Sequence, residues 1–230
     1  MSKFERELAN IKITSEEKRG NGRWLSLHEV KFTDPSGEER SWEVCRRISL
    51  LNQAGNGKVP DKPSIDAVDL ITIIKNKQGQ ATHVALVVQY RPAMGAYTIE
   101  FPSGLVDEDE MASEAALREL EEEVGFSAKL GHPVQVIKTL GPTAYEPGMT
   151  NSCSQVVIIE VTMEQDELLG PDSTRKPKLE DDEWSLQVVI LPLQGLLKSL
   201  EELQSAAGGH SKLVLDGRLY AWVLGRELGY

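Results

Sequence analysis

Residues 118–126 read Arg118-Glu119-Leu120-Glu121-Glu122-Glu123-Val124-Gly125-Phe126, or RELEEEVGF, with carboxylates at four of the five positions from 119 to 123. Every ionisable side chain from Asp107 to Glu123 is acidic except Arg118. A charge run of this kind is usually a solvated helix face, so the placement of the acids decides the reading. A helix is expected near 112–124, with Gly125 as the residue that ends it. Advancing about 100° per residue puts Glu119, Glu122 and Glu123 on one narrow stripe. Glu110, Glu114 and Glu121 fall on the far side as ordinary surface, with Glu114 and Arg118 spaced for an i, i+4 ion pair. Ala116, Leu117, Leu120 and Val124 face the core. The 119/122/123 stripe adjoins that apolar face, where like charges in a partly dehydrated setting raise one another's pKa. A divalent cation compensates most directly, because Mg²⁺ prefers carboxylate oxygens and completes its shell with waters and substrate phosphates. No D-x-[DN]-x-[DN]-G loop is present, which argues against an EF-hand calcium site.

Outward from this helix the chain mixes strands and helices without strict βαβ alternation, an α+β pattern. Upstream, WLSLHEVKF and ERSWEVCRRISLL flank Asp34-Pro35-Ser36-Gly37, which reads as a hairpin turn. The polar stretch 52–64 separates this part from two apolar runs, 68–75 and 83–91, which read as central strands. Further strands are expected at 134–140, 155–163 and 185–191, and helices at 193–205 and 217–228. Two domains are expected: a β-rich N-terminal region over 1–60 and a main domain over 61–230.

The totals fit this organisation. The chain has 230 residues, 40% hydrophobic and 27% charged, which suits a globular fold with a sizeable core. Its formal net charge of −11 argues against long-range attraction to nucleic acid or an anionic membrane and leaves cation binding open. No apolar run approaches the roughly 18 residues of a membrane span. Two distant cysteines, Cys45 and Cys153, and an N-terminus without an apolar signal core point to a reducing setting, cytoplasmic or nuclear. Both cysteines read as small buried side chains. His28, His83, His132 and His210 have no companion at zinc spacing and read as structural.

The surroundings of RELEEEVGF carry a motif. Gly104, five residues, Glu110, seven residues and then Arg118 to Phe126 resemble the Nudix box, Gly-x5-Glu-x7-Arg-Glu-U-x-Glu-Glu-x-Gly-U with U apolar, at every defined position. The likeness runs from about Gly22 to Tyr220 and is greatest to the ADP-ribose pyrophosphatase (ADP-sugar pyrophosphatase) branch, through GRWLSLHEVKFTDPSGEERSWEVCRR, QYRPAMGAYTIEFPSGL and TAYEPGMTNS. That resemblance implies an α/β/α sandwich with a mixed sheet, an additional N-terminal β-region and a homodimer whose pockets use both chains. It also implies hydrolysis of an ADP-sugar to AMP and a sugar phosphate, with Mg²⁺, or Mn²⁺ in its place, as cofactor. Glu119, Glu122 and Glu123 would hold the metal with a backbone carbonyl near Ser103, while Arg118 and Glu110 would pair to position the box. The general base implied is Glu183, just before Trp184 in the acidic loop 171–184, with Asp181 and Asp182 as competitors. Trp24 and Trp42 match the adenine-sandwiching tryptophans, Arg47 and Arg91 the phosphate or ribose contacts, with Arg46 a neighbour. Glu100 and the loop Tyr145-Glu146-Pro147-Gly148-Met149 would shape the sugar end. Gly104 and Gly125 read as conformational. The rival readings are a nucleoside triphosphate, coenzyme A or dinucleotide substrate, a Nudix-fold binding protein without turnover, and an acidic module that docks a basic partner.

Overall fold

A computed structural model describes residues 11–47, 65–164, 167 and 175–229, and all structural statements concern these. The expected strand residues 48–51, the polar stretch 52–64 and positions 171–174 of the acidic loop lie outside the described residues. The chain forms two compact units: residues up to Asp66 together with Pro142–Ser154, and Ala67–Gly141 together with Gln155–Tyr230.

The first unit is built on an antiparallel sheet in the order β1 (Lys12–Asn21), β2 (Leu25–Thr33) and β3 (Glu39–Arg47). The hairpin β2–β3 turns at the expected place: Asp34 Oδ1 accepts from the Ser36 backbone at 2.9 Å, and Gly37 takes a φ of 89°, open to a residue without Cβ. Strand β1 was not expected. Its sequence, KITSEEKRGN, is exposed along almost its whole length and lacks the alternation that marks a half-buried strand. It is held by its antiparallel ladder with β2 and by the inward-facing Glu16, which accepts from Arg46 Nε at 2.6 Å and Nη2 at 3.1 Å and lies 2.8 Å from His28 Nδ1. Ser26 Oγ stands 2.8 Å from His28 Nε2, completing a buried polar row across three strands. Burial pushes the His28 pKa down. Arg46, read as a neighbour of the phosphate contacts, is thus committed to Glu16.

The second unit is an α/β/α sandwich. Its eight-stranded mixed sheet contains β4 (Ala67–Lys75), β5 (Ala81–Arg91), β6 (Ala96–Glu100), β7 (Ser103–Leu105), β8 (Val134–Ala144), β9 (Cys153–Thr162), β10 (Gln187–Pro192) and β11 (Leu213–Leu215). The order is β11-β6-β5-β4-β9-β8, with β10 paired to β5 and β7 to β4. β11 runs parallel to β6, whereas β5 is antiparallel to β4, β6 and β10. The two runs expected as central strands are β4 and β5. Both faces of the sheet are covered, which explains why these runs are continuously apolar. On one face Leu70, Ile74 and Ala85 pack with Ala115, Ala116, Leu120 and Val124 of the acidic helix. On the other, Val84 and Leu86 pack with Leu196 and Leu200 of α2 (Leu196–Ala206) and with Leu219 and Val223 of α3 (Gly217–Glu227). Each fully buried Leu or Ile contributes roughly 1.5–3 kcal/mol relative to exposure. Among the described residues no helix is long and apolar enough to cross a membrane.

Candidate active site

The acidic helix begins as α1 (Ala112–Glu119) and continues through a π-helical turn, Leu120–Val124, to Gly125 at φ 85°. Gly125 N and Phe126 N both donate to Leu120 O, at 3.0 and 3.2 Å. A π turn advances fewer degrees per residue than an α-helix, so Glu123 is carried closer to the line of Glu119, and Glu122 is carried off it. The uniform helix expected over 112–124 therefore gives way to a sharper grouping. Oxygen atoms of Glu119, Glu123 and Glu183 all lie within 4.8 Å of one another. Glu122 stands outside that group: its Oε2 accepts from Arg118 Nη1 at 3.1 Å. Glu183 reaches the group from a short 3₁₀ turn, Asp181–Glu183, and its Oε2 accepts from Glu180 N at 2.7 Å. The side chain of Asp182 lies outside the described residues.

The surroundings are dry. Glu119 and Glu123 are 7% and 4% exposed, values rare for carboxylates without a partner. Burial above all pushes Glu119 up to about 7, against the pull of Arg118 and with the charges of Glu122 and Glu183 adding to it, and pushes Glu123 up to about 9, with Glu119 and Glu183 adding to it. Ser103 N donates to Glu123 Oε2 at 2.9 Å, so the Ser103 peptide of β7 borders the cluster. A Cβ on Gly104 would fall inside the carboxyl group of Glu119. The need for glycine there is space, since its backbone is not left-handed.

Arg118 organises the rim. Its Nε and Nη2 meet the two oxygens of Glu110 at 3.0 Å each, and Nη2 also donates to Leu105 O at 2.8 Å. Nη1 lies between Glu119 Oε1 at 2.7 Å and Glu122 Oε2 at 3.1 Å, a positive charge where two of the expected metal ligands converge. The pair Arg118–Glu110 is present as the resemblance implied. The ion pair expected between Arg118 and Glu114 is not: Glu114 accepts from Met111 N at 3.0 Å and caps the helix start. Nor does Leu117 face the core, being 41% exposed. Glu121 is no bare surface acid either. Lys178 Nζ at 2.7 Å and Ser127 Oγ at 2.7 Å hold its carboxyl down at about 2.

The remaining site candidates divide between the units. In the first, Trp24 and Trp42 are 70% and 58% exposed, so neither is a core residue of this chain. Arg23 lies over the Trp24 ring at 4.6 Å, and Trp42 Nε1 donates to Gly148 O at 2.8 Å, within the 145–149 loop. Arg47 ends β3 with an exposed side chain. In the second unit, Arg91 Nε donates to Glu100 Oε1 at 2.9 Å, with Nη2 2.8 Å from the same oxygen. Glu100 is buried, which raises its pKa against the pull of Arg91 and Thr98. Three histidines are in internal contacts: His28 as above, His83 with Thr82 Oγ1 at 3.0 Å, and His132 accepting from Ser127 N at 3.0 Å. Cys45 and Cys153 carry free thiols.

Three chemical facts stand out: a dry carboxylate cluster suited to a hard cation, a glycine left bare to admit it, and a guanidinium spanning its edge. The comparisons agree with this chemistry. Residues 64–206 match the sequence profile of the NUDIX domain. The chain is 32% identical over 212 residues to a mouse (Mus musculus) protein named ADP-sugar pyrophosphatase, covering 92% of this chain and 85% of that one. It is 34% identical over 179 residues to a protein of Saccharomyces cerevisiae named ADP-ribose pyrophosphatase, covering 77% and 66%. A crystal structure titled as an ADP compounds hydrolase superposes with a TM-score of 0.53 at 21% identity, over 82% of this chain and 83% of that one, and so shares the fold. With the box complete from Gly104 to Phe126 and its carboxylates gathered as described, the chain belongs to the Nudix hydrolase family.

Proposed function

We propose that this protein hydrolyses the pyrophosphate bond of ADP-ribose and related ADP-sugars, giving AMP and a sugar phosphate, with Mg²⁺ or Mn²⁺ as cofactor. The observation that carries the proposal is the convergence of Glu119, Glu123 and Glu183 within 4.8 Å. The names of the mouse and yeast relatives support the substrate class. The donor set fits a hard cation, because buried carboxylates this close ionise together only beside positive charge. Glu119 and Glu123 would hold it, with Glu122 and the carbonyl of Ser103 as further ligands. When bound, the metal neutralises phosphate oxygens, orients the diphosphate and acidifies a water.

The chain's own residues do the rest. Glu183, delivered from the Asp181–Glu183 turn, takes the proton of the attacking water at its carboxylate. Arg118 holds Glu119 and Glu122 in place without touching substrate. Trp24 and Trp42 would stack on adenine, while Arg47 and Arg91 meet phosphate or ribose oxygens. We infer further that residues 1–60 form a homodimer interface and that the two tryptophans of one pocket come from different copies. The exposed Ile13, Trp24, Leu25 and Leu27 of the first unit support this reading, and a monomer in sedimentation at micromolar concentration contradicts it. A cytoplasmic or nuclear setting is consistent with two free thiols.

The test is hydrolysis of a panel containing ADP-ribose, ADP-glucose, NADH, dinucleoside polyphosphates and nucleoside triphosphates, with products identified and Glu122→Gln as control. AMP release from ADP-ribose, dependent on Mg²⁺ and lost in the control, is the expected result. Efficient cleavage of another nucleoside diphosphate derivative with none of ADP-ribose overturns it.

A further inference from the structure

The ion pair between Lys178 and Glu121 stands outside the carboxylate cluster, and its surroundings give it a task. From Lys176 the chain runs along the end of the acidic helix: Lys176 N donates to Gly125 O at 3.3 Å and Lys178 N to Glu122 O at 2.7 Å. A helix end leaves carbonyls without intrahelical partners, so these alternate amides finish the helix and tie the segment to it. Gly125 permits this approach, since a Cβ there would stand 2.6 Å from Lys176 N and 2.7 Å from Pro177 Cδ. Lys178 Nζ then meets Glu121 Oε1 at 2.7 Å, while Ser127 Oγ donates to Glu121 Oε2 at 2.7 Å and fixes the carboxylate from the other side. Beyond Lys178 the chain enters the Asp181–Glu183 turn, which brings Glu183 within 4.8 Å of Glu119 and Glu123.

Glu183 sits on a short turn, so its approach to Glu119 and Glu123 depends on where the preceding segment is fixed, and the contacts that fix that segment lie outside the cluster. We propose that the Lys178–Glu121 pair is a positioning latch that sets the approach of Glu183 to the metal-binding carboxylates. The proposal rests on the reading of Glu183 as the base. The pair contributes little to global stability, because Lys178 is 62% exposed and ion pairs in water are weak. Its effect is on placement, where an error of 1 Å can cost about 10²-fold in rate.

The experiment compares Lys178→Glu, Glu121→Lys and the doubly reversed protein with the wild type, on ADP-ribose at saturating Mg²⁺. Each single reversal is expected to lower kcat about tenfold with KM within about twofold, and the double reversal to recover most of kcat. Thermal midpoints should stay level, which separates placement from stability. Amide hydrogen exchange over 175–186 should rise in the singles and fall back in the double. Should a reversal prevent folding, Lys178→Met and Glu121→Gln remove the charge instead, with the same expectation. Unchanged kcat and unchanged exchange in the singles overturn the latch, as does a lost kcat that the well-folded double fails to recover. If the wild type cleaves no ADP-ribose, the substrate reading fails by itself and the exchange pattern alone decides the latch: a rise in the singles reversed in the double upholds it, and any other pattern overturns it.

Discussion

At Gly104 the side chain that is absent matters more than any that is present. Gly104→Ala would drive a methyl group into the carboxyl of Glu119. The expected outcome is a fall in kcat of about 10²-fold with the fold retained, measured by steady-state hydrolysis and circular dichroism. Glu119 and Glu123 make a second test. Their folded-state pKa values, about 7 and about 9, exceed the 4.5 of an ordinary glutamate. A raised carboxyl pKa means that the native state favours the protonated form. This contribution is therefore full in acid and is lost as pH rises from about 4.5 towards 9. In EDTA the melting temperature should fall across that window, and added Mg²⁺ should raise it more at pH 9 than at pH 6. Glu123→Gln should flatten the metal-free slope; a slope equal to the wild type's contradicts this reading. The sequence alone pointed to the carboxylates through their spacing. It did not reveal the role of Arg118 Nη1, because a bridge between Glu119 and Glu122 depends on side-chain direction rather than on residue order.

Among the elements, the helix bearing the box, the central strands β4 and β5 and the β2–β3 hairpin were legible because apolar periodicity and turn residues mark them locally. The π turn was not. A wheel drawn at uniform pitch put Glu122 with Glu119 and Glu123, whereas in the structure Glu123 and Glu183 group with Glu119 and Glu122 meets Glu119 through Arg118 Nη1. The hold of Lys178 on Glu121 was equally hidden, as it joins residues 57 positions apart. Strand β1 was not legible because its outward polar residues carry no pattern, while beyond its ladder with β2 it is anchored inward by one carboxylate, Glu16. That hold is testable. Arg46→Ala leaves Glu16 buried beside His28 without its guanidinium, and breaking such a pair costs about 3–5 kcal/mol. Urea unfolding followed by tryptophan fluorescence should show the loss, and a change under 1 kcal/mol would place the pair among solvent-screened contacts instead.

Over the whole molecule, the division into two units is not a division of the chain into two lengths. The first unit takes back Pro142–Ser154, the stretch between the bodies of β8 and β9. Within that unit Cys45 N donates to Met149 O at 2.8 Å, Asp66 N to Cys153 O at 2.8 Å, and Cys153 N to Asp66 Oδ2 at 2.9 Å. A chain begun at residue 67 should consequently be cut within 142–154 by a protease that spares the 230-residue chain there, as mass spectrometry of the fragments would show. The two units are therefore not exchangeable cassettes. A recombination breakpoint between residues 47 and 67 would hand a recipient one half of a hydrogen-bonded seam and strand the other half in the donor, so the N-terminal sheet and the 142–154 excursion are expected to be inherited, and to vary, together.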